Sequence, residues 1–215
     1  LPDGTVDYEQ AERDIAAKQP KMVYIQRSRG YSLRATLTWR EIKKICDITK
    51  RVSPKSIIML DNCYGEFVEK VEPLTIGVDL MAGSLIKNPG GGIAPTGGYI
   101  AGKKELVEMC AYRLTTPGTG KEIGATLGVN REMFMGAYHA PHVTGEALKT
   151  AVFASALFEL LGFETTPKYS DDRGDIIQLI MLGDEEKLIS FCGGIQSGSA
   201  VDSFVQPMPS DMPGY

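Results

Sequence analysis

Several things are scarce in this chain of 215 residues, and each scarcity narrows what it can be. Basic residues are not in excess: 23 Lys and Arg against 27 Asp and Glu give a formal net charge of -4 and a pI near 5.3. A main partner made of nucleic acid would favour a basic face, so none is expected. No apolar run approaches the roughly 20 residues of a membrane span, and Leu1-Pro2-Asp3-Gly4 lacks the charged-then-apolar layout of a signal peptide. No membrane partner is expected, and a cytoplasmic location is the simpler expectation. The four cysteines, Cys46, Cys63, Cys110 and Cys192, contain no C-x-x-C pair. That is poor material for structural zinc or a disulfide framework and suits a reducing compartment. The two histidines, His139 and His142, lie three apart with no third ligand marked, so no metal site is expected. There are no internal repeats. An initiator Met is also missing, which raises the expectation that the chain is part of a longer protein.

What is present is the balance of a globular protein, 43% apolar and 23% charged. Asp7 to Lys18 reads as a short helix with Asp7 as cap. Met22 to Gln26 reads as a buried strand, followed by the basic loop Arg27-Ser28-Arg29-Gly30-Tyr31. Thr38 caps a helix over Trp39 to Arg51, with Ile42, Ile45, Cys46 and Thr49 on one face. Ser56 to Leu60 is a second buried strand, ending in Asp61, and Ile76 to Met81 a third, running into Ala82-Gly83-Ser84. A short strand over Thr96 to Gly102 and a helix over Lys103 to Leu114 follow. Thr115 to Gly145, rich in Gly and Pro, is expected to be irregular, and Glu146 to Leu161 to be a long apolar helix. Beyond Gly162, strands are expected over Phe163 to Thr166 and Asp175 to Leu182, and a helix over Asp184 to Phe191. The alternation predicts an α/β fold with a mainly parallel sheet flanked by helices. A domain change is expected near Gly162, giving a large domain over 1–162 and the start of a smaller α/β domain over 163–215.

In such sheets functional groups gather at the carboxyl ends of strands. Asp61, Ser84, Lys87 and the Arg27/Arg29 loop all fall at or just after such ends. A lysine after a strand is usually a surface residue. Here Ser84 precedes Lys87 by three, and Asn88-Pro89-Gly90-Gly91-Gly92 follows, letting backbone approach a ligand closely. An acid and an amine so placed are what a pyridoxal 5'-phosphate (PLP) site needs: the lysine forms the Schiff base and the acid partners the pyridinium nitrogen. An acid ending a strand is often only a cap, and the charge of Arg29 could equally be a solvated loop charge.

Ile58-Met59-Leu60-Asp61-Asn62-Cys63-Tyr64 resembles the V-V-D-N-T-F stretch of the Cys/Met-metabolism PLP enzymes of fold type I. Ser84-Leu85-Ile86-Lys87 resembles their S-x-T-K, and Ser190 to Ser197 (Ser-Phe-Cys-Gly-Gly-Ile-Gln-Ser) their S-L-G-G-V-E-S. Lys21 to Gln26 is similar to their K-x-V-x-x-E. The detail is most similar to the branch known as aluminium-resistance or methionine gamma-lyase-like proteins. The resemblance implies that Lys87 holds PLP and moves the substrate's α proton, that Asp61 pairs with the pyridine nitrogen, and that Ser84 contacts the phosphate. Arg29 stands near an asparagine of the broader family and would meet phosphate or a substrate carboxylate. Ile86 and Asn88 depart from the family's threonine and aromatic. The resemblance further implies a longer chain carrying upstream phosphate and ring-stacking residues and a downstream arginine, and a homodimer or homotetramer.

The expected activity is therefore a PLP-dependent carbon–sulfur lyase acting on a small sulfur amino acid of cystathionine or methionine type, by α-proton abstraction and β- or γ-elimination. An aminotransferase uses the same Asp and Lys, and a non-catalytic α/β binding module is the alternative outside enzymes. Ser84-x-x-Lys87 also matches the S-x-x-K of penicillin-binding proteins, but only Lys149-Thr150-Ala151 stands for their K-T-G. Thr115 to Glu122 is a poor P-loop, with Glu122 in place of the magnesium-binding Ser or Thr.

Overall fold

The computed structural model describes residues 1, 4–115, 118–122, 124 and 127–210. Helix α1 (Tyr8–Lys18) starts where Asp7 accepts the Gln10 N–H at 2.9 Å, and it ends at Gln19 in the left-handed region. Strand β1 (Met22–Gln26) leads through the basic loop to α2 (Trp39–Val52). The Glu41 carboxylate accepts the Thr38 N–H at 2.8 Å, closing the first turn of α2. Strand β2 (Ile57–Asp61), β3 (Leu80–Ser84) and β4 (Gly98–Gly102) complete a sheet of order β1-β2-β3-β4. The first two pairings are parallel and β3-β4 is antiparallel. Helices α3 (Lys104–Leu114) and α4 (Asn130–Leu160) follow, then the hairpin pair β5 (Glu164–Thr166) and β6 (Leu179–Met181), and α5 (Glu185–Ser197).

The core lies between α2 and the sheet. Ile42 and Cys46 of α2 meet Ile25, Ile58 and Leu60, with Val78 beside them. Side chains alternate across a strand, so burial of Ile58 and Leu60 against α2 sends Asp61 to the opposite face. Register then sets Asp61 beside Gln26 on one side and Ala82 on the other.

Three expectations are corrected. Strand β1 is an edge strand, not a buried one, and only Ile25 of its five residues is buried. The third strand begins four residues later than its apolar run suggests. Pro73 starts a 3-10 turn over Pro73–Thr75 that Ile76 closes, and Asp79 is a buried anchor rather than a ladder residue. Its carboxylate takes bonds from the Ile58 N–H, Lys50 and Lys103 at 2.7–2.8 Å. The stretch expected to be irregular before Gly145 is helical from Asn130 onward, with Pro141 inside α4. Gly136 and Ala140 in that stretch lie under the glycine turn that follows Lys87, where larger residues have no room. Part of the weak P-loop candidate, residues 116 and 117, lies outside the described residues, as do 211–215.

Candidate active site

A cavity of about 980 Å³ opens at the carboxyl ends of β1 and β2. Its walls include Asp61, Cys63 and Tyr64 after β2, Lys87 after β3, the loop residues Ser28 to Ser32 with Arg34, and Ile176, Ile177 and Leu179 from the C-terminal segment. Three of the four site residues expected from sequence, Asp61, Lys87 and Arg29, meet here. Ser84 does not line the cavity; it ends β3 opposite Gly98, and its Oγ accepts the Ile86 N–H at 3.4 Å.

Asp61 is held by two donors. Its Oδ1 accepts the Cys63 N–H at 3.0 Å and its Oδ2 the Tyr24 hydroxyl at 3.3 Å. Burial and the Asp61 charge raise the Tyr24 hydroxyl above its ordinary pKa, so it stays a donor. Burial, with Asp61 adding to it, pushes the Cys63 thiol up to about 11. Cys63 is thus a neutral wall of the cavity at physiological pH, not a nucleophile.

Lys87 follows a turn in which its N–H bonds the Ser84 carbonyl at 3.3 Å. Its ammonium lies 4.8 Å from the centre of the Tyr64 ring. Hydrogen bonding to the Tyr64 side chain is the largest influence on the amine and holds it above its ordinary range, with burial opposing it. The two partners are tied together by Asn88, whose Nδ2 donates to the Tyr64 and Glu66 carbonyls at 3.0 Å each. Tyr64 itself sits at φ 68°, a left-handed turn position. Behind Lys87 the glycines permit close approach: a Cβ on Gly90 would stand 1.7 Å from the Leu85 carbonyl oxygen, and one on Gly136 2.2 Å from that of Gly90.

Arg29 is 5% exposed. Its Nη1 donates to the Thr166 carbonyl at 3.1 Å, which ties the basic loop to β5. Burial pulls the guanidinium below its ordinary range; Asp175 opposes that and Arg34 adds to it. Arg27, from the same loop, turns the other way, into an ion pair with Glu69 and a 2.8 Å bond to Asn62. It is a structural residue under the site.

Sequence reasoning did not assign roles to Tyr24, Tyr64, Tyr31 or Arg34, nor to Ile176 and Ile177. Tyr64 was visible inside the Asp61-to-Tyr64 motif. Tyr24 could be found from alternation, since it shares a strand face with Gln26, the register partner of Asp61. Nothing local marks Ile176 and Ile177 as cavity walls. Lys149-Thr150-Ala151 lies within α4, so no strand carries a K-T-G equivalent there. Among the described residues no three His, Cys, Asp or Glu side chains converge as metal ligands, and no helix is long and apolar enough to cross a membrane.

Comparison with known proteins places this geometry. The profile of the family described as methionine gamma-lyase matches residues 1–215. An uncharacterized 33.9 kDa protein of Lactobacillus delbrueckii subsp. bulgaricus is 56% identical over 213 residues, covering 99% of this chain and 70% of that protein. The crystal structure of a carbon-sulfur lyase involved in aluminum resistance from Clostridium novyi NT superposes with a TM-score of 0.91 at 50% identity, covering 98% of this chain and 50% of the other. A Listeria monocytogenes structure, provisionally named a cystathionine beta-lyase involved in aluminum resistance, superposes with a TM-score of 0.94 at 47% identity, covering 100% of this chain and 53% of the other. The chain thus spans about half the length of the solved structures it matches. A profile match from end to end, with two neighbours near 50% identity, leads to one conclusion: the chain belongs to the methionine gamma-lyase family.

Proposed function

We propose that this chain forms the PLP-holding part of a carbon–sulfur lyase acting on a sulfur-containing amino acid. The observation that carries the reading is the placement of the Lys87 amine and the Asp61 carboxylate on one cavity of about 980 Å³. The donor set fits the cofactor: an amine for its aldehyde, an oriented carboxylate for its ring nitrogen and a buried arginine for an anionic group. The names of the Clostridium and Listeria structures support the reaction class.

When bound, PLP supplies the sink for the electron pair left at the substrate's α carbon. The chain's own residues do the rest. Asp61, fixed by Tyr24 and the Cys63 N–H, would hold a proton on the pyridine nitrogen. Lys87 would hold the cofactor and take the α proton. Both roles need the neutral amine, so the Tyr64 contact that favours the ammonium has to be released first. Arg29 would meet a phosphate or carboxylate at the cavity wall. Ser84 would meet the phosphate once its hydroxyl turns from the Ile86 N–H. A second copy of the chain is the proposed protein partner. It has exposed apolar surface to cover on α4, where Phe134 and Tyr138 are 77% and 82% exposed.

The test is borohydride reduction of the purified protein supplied with PLP, followed by peptide mapping. A pyridoxyl adduct on Lys87, lost together with lyase activity in Lys87→Ala, is expected. A protein that takes up no PLP, or full activity in Lys87→Ala, overturns the reading.

A further inference from the structure

Glu66 is a buried acid that the reaction outlined above does not use. It is 8% exposed, and its Oε1 accepts the Tyr99 hydroxyl at 2.7 Å. Its Oε2 is buried without a partner among the described residues. Arg27, whose charge acts on it, is paired with Glu69 instead. Burial raises the Glu66 carboxyl above its usual range; the Tyr99 bond and Arg27 oppose that, and Asp61 adds to it. A buried carboxyl that no cation pairs with is held at a cost to stability. What it holds in place is therefore informative.

Glu66 reaches both halves of the candidate site. On the main chain, its carbonyl accepts Asn88 Nδ2 at 3.0 Å, and Asn88 directly follows Lys87. On the side chain, Tyr99 carries the contact onward: the hydroxyl that Glu66 holds accepts Asn62 Nδ2 at 3.3 Å. Asn62 directly follows Asp61. Its N–H donates to the Ala82 carbonyl at 2.9 Å, and its Oδ1 accepts Arg27 Nη1 at 2.8 Å. These links are not local: Glu66 and Tyr99 are 33 residues apart, and Asn62 and Tyr99 are 37 apart. Gly83 of β3 makes room for them. A Cβ there would stand 2.3 Å from Glu66 Oε1 and 2.4 Å from the Tyr99 ring. One residue thus bonds the neighbour of the amine and, through one hydroxyl, the neighbour of the acid.

We propose that Glu66, with Tyr99, is a positioning residue that fixes the separation and aim of Asp61 and Lys87. The inference rests on the reading of those two as the cofactor-holding pair and adds what sets them relative to each other. Neither Glu66 nor Tyr99 lines the large cavity. They act through the two asparagines and not on a bound group. If the link is cut, Asp61 is no longer aimed at the pyridine nitrogen, and its hold on the proton there weakens. Loss of that positive charge makes it easier to keep a proton on the lysine nitrogen bonded to the cofactor, because like charges oppose each other. The pH at which bound PLP changes colour therefore rises.

The measurement is the absorption of the PLP-loaded protein, titrated with pH, in wild type, Tyr99→Phe, Glu66→Ala and Glu66→Gln, beside urea unfolding of each. Tyr99→Phe removes one oxygen and leaves the ring packed on Gly83. Glu66→Gln loses the charge and keeps an oxygen for the Tyr99 hydroxyl. The midpoint of the colour change is expected to rise by about half a pH unit or more in Tyr99→Phe and Glu66→Ala, and to return close to the wild-type value in Glu66→Gln. A residue that only stabilised the fold would lower the urea midpoint and leave the colour change of the folded, loaded protein where it was. A wild-type colour midpoint in either Tyr99→Phe or Glu66→Ala therefore overturns the proposal. Equal shifts in Glu66→Gln and Glu66→Ala would assign the effect to the charge and not the bond, and overturn it as well. A wild-type protein that takes up no PLP at Lys87, read by borohydride labelling, fails the cofactor reading and this proposal with it. A labelled wild type with unshifted variants fails this proposal alone.

Discussion

The Lys87 amine and the Tyr64 side chain form the pair on which reactivity at this site turns. A hydroxyl that accepts from an ammonium stabilises the charged form, and a raised amine pKa means less neutral amine at any given pH. Tyr64→Phe keeps the ring 4.8 Å away and removes the acceptor. The amine then falls back toward its ordinary range, and more of it is neutral at pH 8. Competitive acetylation with peptide mapping should find Lys87 labelled several-fold faster in Tyr64→Phe than in wild type, with Lys104, 86% exposed, as internal standard. An unchanged rate would mean that the tyrosine does not set the state of the amine.

Among the elements, Asp79 ties three together. It bonds β2 through the Ile58 N–H, α2 through Lys50 and the start of α3 through Lys103. Burial opposes its ionisation, yet the bonds from Lys103, Lys50 and Ile58 together outweigh that and hold the carboxyl below its usual range. A depressed acid contributes stability that is present above its unfolded pKa and lost as pH falls through the folded one. Asp79→Asn should therefore cost about 3 kcal/mol at pH 7, and the gap in urea midpoint should close as pH drops below 3.8. This residue also marks where sequence reading fails. Ile76 to Met81 is apolar enough for a strand, but a carboxylate with three partners from distant elements cannot be inferred from its neighbours. Elements defined by local chemistry were legible: the Asp7 and Thr38 caps, the ends of β1 and α2, and Asp61 and Lys87 at their strand ends. Helix α4 was not, because Gly136 and Pro141 look like breakers, and the glycine turn that packs on Gly136 and Ala140 is not visible locally. Gly136→Ala would put a Cβ 2.2 Å from the Gly90 carbonyl oxygen. It should cost about 1–3 kcal/mol through overpacking and reduce the yield of Lys87 adduct, measured by urea unfolding and borohydride labelling in parallel.

At the scale of the whole molecule, the cavity exists only because two distant stretches are docked. Its floor comes from the strand ends of the four-stranded sheet, and one wall from Ile176, Ile177 and Leu179. The bond between them runs through Asp175, whose carboxylate receives Ser28 Oγ at 2.9 Å and Thr36 Oγ1 from the basic loop, and through Arg29 on Thr166. The resemblance in sequence pointed to the strand-end residues but not to this joint, which spans more than a hundred residues of chain. Asp175→Ala removes the acceptor of two loop hydroxyls and of the Ile177 N–H. Hydrogen bonds to a charged group contribute about 1.5–3 kcal/mol each, and they are shared here on one carboxylate, so a loss of about 3 kcal/mol is expected. That loss should concentrate at the joint, because the apolar cluster around Ile42, Ile58 and Leu60 lies elsewhere. Limited proteolysis should then cut the segment over 163–210 faster in Asp175→Ala, while amides of β2 keep their hydrogen-exchange protection. If β2 loses protection in step with that segment, the joint and the sheet unfold as one unit, and the wall of the cavity cannot open without the floor.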